Sequence, residues 1–112
     1  MQRGDIWWAV LPTASGKPDR RPVVIVSSDR FNRSNLATVL VLPCTTNLRR
    51  AHAPGNVVLA AGTGGLREDS VAVVAGLSII AKAECERHLG TLPDDAVREI
   101  DSGLRLVLDL DA

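Results

Sequence analysis

The sequence predicts a mainly β fold with helices, of the α+β class: a compact, strongly curved sheet with a helix packed on it at the C-terminal end. Three observations predict it. Short runs that alternate in polarity, or are wholly aliphatic, recur from Asp5 to Ile80. Proline, or a polar stretch with glycine or asparagine, ends most of these runs. From Pro93 onward the apolar spacing changes to three and four residues, which is the helical period. Five or more short strands before a terminal helix bury their apolar faces best as a small curved sheet under that helix. The chain has 112 residues, the length of one domain (1–112) with no room for a second core.

The elements follow in order. Asp5 to Leu11 alternates, with Ile6, Trp8 and Val10 on one face and Trp7, Ala9 and Leu11 on the other. That is a strand stopped by Pro12, and its phase puts Trp8 in the core and leaves Trp7 for a dimer or partner surface. Residues 12–20 read as loop. Pro22 to Ser27 is a second strand, with Val23 to Val26 buried on both faces. The polar stretch 28–35 is loop, and Thr38 to Leu42 is a third strand ended by Pro43. A short strand at Asn56–Leu59 precedes the glycine-rich turn 62–65, and a β-like stretch runs from Ser70 to Ile80, broken near Gly76. Residues 81–89, AKAECERHL, suit a short helix, with Gly90 placed for its C-terminal cap. The last helix starts near Pro93 and Asp94 and turns Val97, Ile100, Leu104, Val107 and Leu108 inward.

Hydrophobic residues make up 46% of the chain, enough for a core without metals or disulfides. Cys44 and Cys85 are the only cysteines, which fits two free thiols in a reducing compartment. The N-terminus, with Asp5 among its first residues, lacks the apolar core of a signal peptide. No apolar run approaches the roughly 18 residues that span a bilayer. A cytoplasmic location and no membrane association are expected. Basic and acidic residues are equal at 13 each, but unevenly spread. Residues 1–52 hold eight basic side chains against three acidic, a net +5, and residues 53–112 hold five against ten, a net −5. Either the fold shows a basic side, a footprint for a polyanion, or the two halves interleave and cancel.

Neither histidine has a partner at zinc spacing, so no metal site and no cofactor is expected. His88 belongs on the surface, and His52, among Arg49, Arg50 and Pro54, is a minor candidate for phosphate contact. Residues 62–65, GTGG, lack the lysine of a phosphate loop and read as a hairpin turn. What remains is a group of polar residues at strand ends. If the second and third strands pair antiparallel, Arg21 stands beside Thr45 at the sheet rim. Guanidinium can take two phosphate oxygens at once, and a neighbouring hydroxyl can bond a third or carry a proton. Together they could stabilise charge on a pentacoordinate phosphorus. The alternative is structural: Arg21 pairs with Asp19 or Asp29, and Thr45 caps a turn.

RGDIWWAVLP, RRPVVIVSSDRFN, the strand ending PCTTN and then EDSVAVV stand here in an order and spacing that resemble the MazF/PemK family of toxin endoribonucleases. The resemblance covers nearly the whole chain and implies an SH3-like small barrel, a homodimer, and metal-independent, sequence-specific cleavage of single-stranded RNA by 2′-hydroxyl attack. The single-stranded RNA it implies is messenger RNA, with tRNA or rRNA as alternatives. It also implies a cognate antitoxin that lays an acidic tail along the RNA groove. The family's catalytic arginine and threonine fall on Arg21 and Thr45. Lys17, Arg20, Phe31, Asn32, Arg33, Thr46, Asn47, Arg49 and Ser70 are the candidate RNA contacts, with Phe31 the stacking candidate. Two departures stand out. Many members carry Gly-Ser-Glu-Gln before the arginine, where this chain reads SGKPDRR, leaving Asp19 as the substitute base. After EDSV, Ala75 and Gly76 stand where many members have an acid or amide and a glutamine. The competing readings are a non-enzymatic, CcdB-type toxin that binds DNA gyrase and an inactive RNA-binding SH3-like module.

Overall fold

A computed structural model describes residues 1–110. Seven strands, β1 (Asp5–Leu11), β2 (Asp19–Ile25), β3 (Thr38–Thr45), β4 (Val57–Leu59), β5 (Ser70–Ala72), β6 (Ser78–Ala81) and β7 (Cys85–Thr91), form one antiparallel sheet. Two helices accompany it, a short α1 (Asp29–Arg33) and α2 (Asp94–Leu108). The hydrogen-bonded order is β4-β5-β3-β2-β1-β7, with β6 paired to β3 on the edge opposite β2.

β2 is buried on both faces, as its aliphatic run requires. Val24 joins Ile6, Leu42, Cys44 and Leu92 in the cluster under α2, capped by Ala96 and Ile100. Val23 and Ile25 point the other way, into a second cluster with Ala9, Leu11, Val39, Val41 and Ile80. Strand alternation thus serves two cores from one sheet. α2 keeps only part of its expected face inside. Ile100 is buried and Val97 and Leu104 pack partly, but Val107 and Leu108 are exposed. Gly103 supplies the close approach instead, since a Cβ there would lie 2.2 Å from the Gly55 carbonyl oxygen.

Four expectations need correction. β3 does not stop at Pro43 but runs through it to Thr45. Its pairing with β6 ends at Val41 and that with β5 begins at Cys44. Proline lacks the N–H a continuous ladder would use, and it sits where β3 changes partners; its carbonyl accepts from Val73 N–H at 2.9 Å. The stretch 28–35 holds α1, capped by Ser28, whose hydroxyl accepts from Phe31 N–H at 3.1 Å. The short helix expected over 81–89 is absent: Lys82–Glu84 make a single 3₁₀ turn and β7 follows, paired to β1. Ala, Lys and Glu favour helix by propensity, but pairing with β1 overrides that. Gly90 therefore caps no helix. It lies in β7 against the 62–65 turn, where a Cβ would meet Gly64 at 2.5 Å, and a Cβ on Gly65 would lie 2.1 Å from the Leu89 carbonyl oxygen. That turn joins β4 to β5, which pair antiparallel, and brings one end of the sheet against the other without a ladder.

The opening Arg3-Gly4-Asp5 is a clamp. Arg3 donates to Val26 C=O at 2.9 Å and to Asp101 of α2 at 2.6 Å. Gly4 takes φ +92, open to glycine at little cost. Asp5 is buried and accepts from Gln2 N–H and the Thr91 hydroxyl, each at 2.8 Å, with His88 Nε2 at 3.5 Å. Burial pushes the Asp5 carboxyl up, but those donors and His88 outweigh it and hold it below its ordinary value. A depressed folded-state pKa contributes stability above the unfolded value of about 3.9, lost as pH falls through the folded value. Asp5→Asn is expected to cost about 1–3 kcal/mol at neutral pH, with the gap to wild type closing below about pH 4. Urea melts across pH check this, and equal stability at neutral pH would refute the clamp.

Candidate active site

The β2–β3 ladder sets Val23 opposite Pro43, Val24 opposite Leu42 and Ile25 opposite Val41. Continued by two residues, that register puts Arg21 opposite Thr45. Both line an open cavity of about 550 Å³ at the sheet rim, along with Arg20, Thr46, Ser70, Trp8, Pro22 and Cys44. The 62–70 connection contributes Gly65, Leu66, Arg67 and Glu68 to its wall, and β7 contributes Arg87 and Leu89. Four arginines face one carboxylate in this lining, a local excess of positive charge partly offset by Glu86 on Arg20 and Asp19 on Arg21.

The local chemistry is set by hydrogen bonds already made. Arg21 Nη2 donates to Asp19 Oδ1 at 3.0 Å. Its Nε also lies 3.0 Å from Asp19 Oδ2, but the N–H is not aimed there, and Nε is buried without a hydrogen-bond partner. The pair is about one-third exposed, 35% and 33% of the two side chains, so Asp19 orients the guanidinium without burying it. Arg20 makes a looser contact with Glu86, Nε to Oε1 at 3.3 Å. Thr45 Oγ1 accepts from Asn47 N–H at 3.1 Å. With a lone pair engaged, the hydroxyl keeps its own proton to donate outward. Both structural alternatives raised from the sequence are thus present, and neither uses up the group concerned.

Other predicted contacts divide. Asn47 follows Thr46 and caps the 3₁₀ turn Leu48–His52 that holds Arg49, beside the cavity rather than in its lining, while Ser70 is in the lining with its hydroxyl donating to Glu68 C=O at 2.9 Å. His52 is exposed at the end of that turn. Lys17 lies elsewhere, in a second groove with Pro12, Ile79 and Glu84. Phe31, Asn32 and Arg33 sit in α1, beyond the far end of β2 from Arg21. Asn32 is buried and bonded to Ser27 through both ends of its amide, a structural latch. His88 pairs across from Trp7, ring centroids 5.2 Å apart, on a strand rather than the helix expected. The sequence reading missed Arg67, Glu68 and Arg87, and it put Trp8 in the core. The signal for Arg87 was its phase with Leu89, masked by helix-favouring neighbours and by an irregularity in the β1–β7 register that sets Cys85 opposite Ala9 on the other face.

Burial pushes the Cys44 thiol up to about 12 despite the opposing charge of Arg21, and burial with Glu84 pushes Cys85 to about 11. Both cysteines are free thiols, and Cys44 stays protonated on the cavity floor. Among the described residues no group of three or more His, Cys, Asp and Glu is placed to hold a metal, and no helix is long and apolar enough to cross a membrane.

The rim of this antiparallel sheet thus gathers arginines and threonines around one open cavity. The chain belongs to the PemK-like, MazF-like toxins of type II toxin–antitoxin systems, whose family model matches residues 2–108. It is 41% identical over 112 residues to Endoribonuclease MazF6 of Mycobacterium tuberculosis (strain H37Rv), covering 98% of each chain. Its fold matches the Mycobacterium tuberculosis toxin MazF-mt6 with a TM-score of 0.82 and 25% identity, over 96% of this chain and 99% of that one. An endoribonuclease in complex with its cognate antitoxin, from a mycobacterial species, shares the fold with a TM-score of 0.82, at 23% identity over 100% of this chain and 98% of the other.

Because thiolate is the reactive form, iodoacetamide at neutral pH is expected to leave Cys44 unmodified in the folded protein and to alkylate it once urea unfolds the chain. Peptide mass spectrometry reads the outcome, and rapid native alkylation of Cys44 would contradict its burial.

Proposed function

We propose that the chain is the toxin of a type II toxin–antitoxin pair and an endoribonuclease that cuts single-stranded RNA at short sequence motifs, with Arg21 and Thr45 at the reacting phosphate. The observation that carries this reading is the β2–β3 register, which supports a guanidinium and a hydroxyl acting together in one basic cavity. The ribose 2′-hydroxyl attacks the adjacent phosphorus. Its O–P bond forms as the P–O5′ bond breaks, leaving a 2′,3′-cyclic phosphate and a 5′-oxygen that takes a proton from solvent in the open cavity to end as a 5′-hydroxyl. Arg21 holds charge on the non-bridging oxygens, and Thr45 donates to one of them. The proton leaving the 2′-hydroxyl needs an acceptor. Asp19, tied to Arg21, and Glu68, the carboxylate in the cavity wall, are the two groups available. An intramolecular nucleophile and a fixed cation need no metal.

The partner that restrains the toxin is a cognate antitoxin with an acidic tail, for which the same arginines form a complementary surface. The working unit is a homodimer in the cytoplasm. The endoribonuclease names of its relatives and the rim pair together favour this reading over a gyrase-binding toxin.

Purified protein incubated with a long RNA in the presence of chelator is expected to produce discrete cuts bearing 5′-hydroxyl ends, located by 5′-end mapping. Arg21→Ala should lower the rate by roughly 10²–10³-fold, and Thr45→Val by about 10- to 150-fold, with size-exclusion profiles unchanged. An Arg21→Ala protein that cuts at the wild-type rate would overturn the assignment.

A further inference from the structure

We propose that Trp8 is the stacking platform for a nucleobase next to the phosphate held at Arg21; the inference rests on the ribonuclease reading. Pairing on both sides of β1 places Trp8 between Pro22 of β2 and Arg87 of β7, and all three line the cavity. The same sheet face begins inside the core. Ile6 and Val24, two pairs further along the ladder and next on this face, are 0% and 1% exposed. At Trp8 the face leaves the core, so a large aromatic side chain stands half-buried in a cavity wall. Trp7 does the opposite. Its ring packs on His88 and against the second core cluster. Two adjacent tryptophans therefore divide their work, one serving the fold and one facing the polyanion site.

The surroundings match an unstacked nucleotide. Arg20, Arg21, Arg67 and Arg87 share the lining with Trp8, supplying cations for the backbone while the indole supplies a flat apolar face. Single-stranded RNA is held by this combination of basic groove and aromatic platform. The volume of about 550 Å³ lies within the roughly 300–1,000 Å³ range of small-molecule pockets, room for one base with its phosphate. Phe31, the aromatic the sequence favoured for stacking, is in α1, away from this cavity.

The probe is a short RNA spanning a mapped cleavage site, carrying a 2′-deoxynucleotide at the scissile position so that it binds without being cut. In a Trp7→Phe background, Trp8 emission is expected to be quenched as the RNA saturates, while Trp7 emission in Trp8→Phe changes little. Trp8→Leu, which keeps an apolar side chain but not the aromatic face, should weaken binding by roughly 5- to 150-fold, whereas Trp8→Phe keeps most of the affinity. The slope of log affinity against log salt should be unchanged in Trp8→Leu and fall by about 0.7 in Arg87→Ala, a distinction that a merely structural role for Trp8 would not produce. Saturable RNA binding, followed by anisotropy of a labelled strand, without quenching of Trp8 would overturn this inference and leave the ribonuclease reading intact. Failure of the wild-type protein to bind RNA at all would overturn both.

Discussion

The pairing of β2 with β3 is the constraint on which the rest of the molecule depends. It sits at the centre of the sheet, buried on both faces, and its aliphatic residues belong to both cores. A slip of one residue would turn Val23 and Val24 to the wrong clusters, so the register is held by every buried side chain in the ladder. Continued toward the rim, that same register leads to Arg21 and Thr45, which line one cavity. The site inherits its geometry from the best-packed part of the protein, which is how a cation with a long flexible stem comes to be held at a fixed place.

Electrostatics at the rim are balanced rather than one-sided. The charge asymmetry between the two halves of the sequence does not become a basic hemisphere facing an acidic one. Arg3 pairs with Asp101 and Arg20 with Glu86, each joining residues from opposite halves. What survives is a local excess, with Arg67 and Arg87 of the acidic half adding to Arg20 and Arg21 in one cavity. The acids paired with Arg20 and Arg21, Glu86 and Asp19, hold partly exposed arginines through contacts worth little in water. A phosphate can compete for those arginines at small cost.

Much of this was legible from residue order. The strand from Asp5, the doubly buried strand after Arg21 and the terminal helix each had a period or an apolar run that tertiary packing did not need to override. Arg21 and Thr45 followed from assuming that sequential strands pair. The rest was hidden for identifiable reasons. β7 carries helix-favouring residues and is made a strand by the edge of β1. Pro43 looks like a terminus but is a point where one strand exchanges partners. Trp8 shares the phase of Ile6 and Val10, and nothing in that phase reveals where the covering layer ends. Arg67 and Arg87 come from segments distant in sequence that meet only because β4, β5 and the 62–65 turn fold back over β7.

That last contact sets a limit on how the protein can diversify. Where Gly64 and Gly65 cross Leu89 and Gly90, main chain rests on main chain, with no side chain between them to trim or enlarge. The spacing at that seam is a property of the backbone, so the cavity wall beside it can be reshaped only through replaceable side chains such as those at positions 8, 67 and 87, while the frame keeps its width.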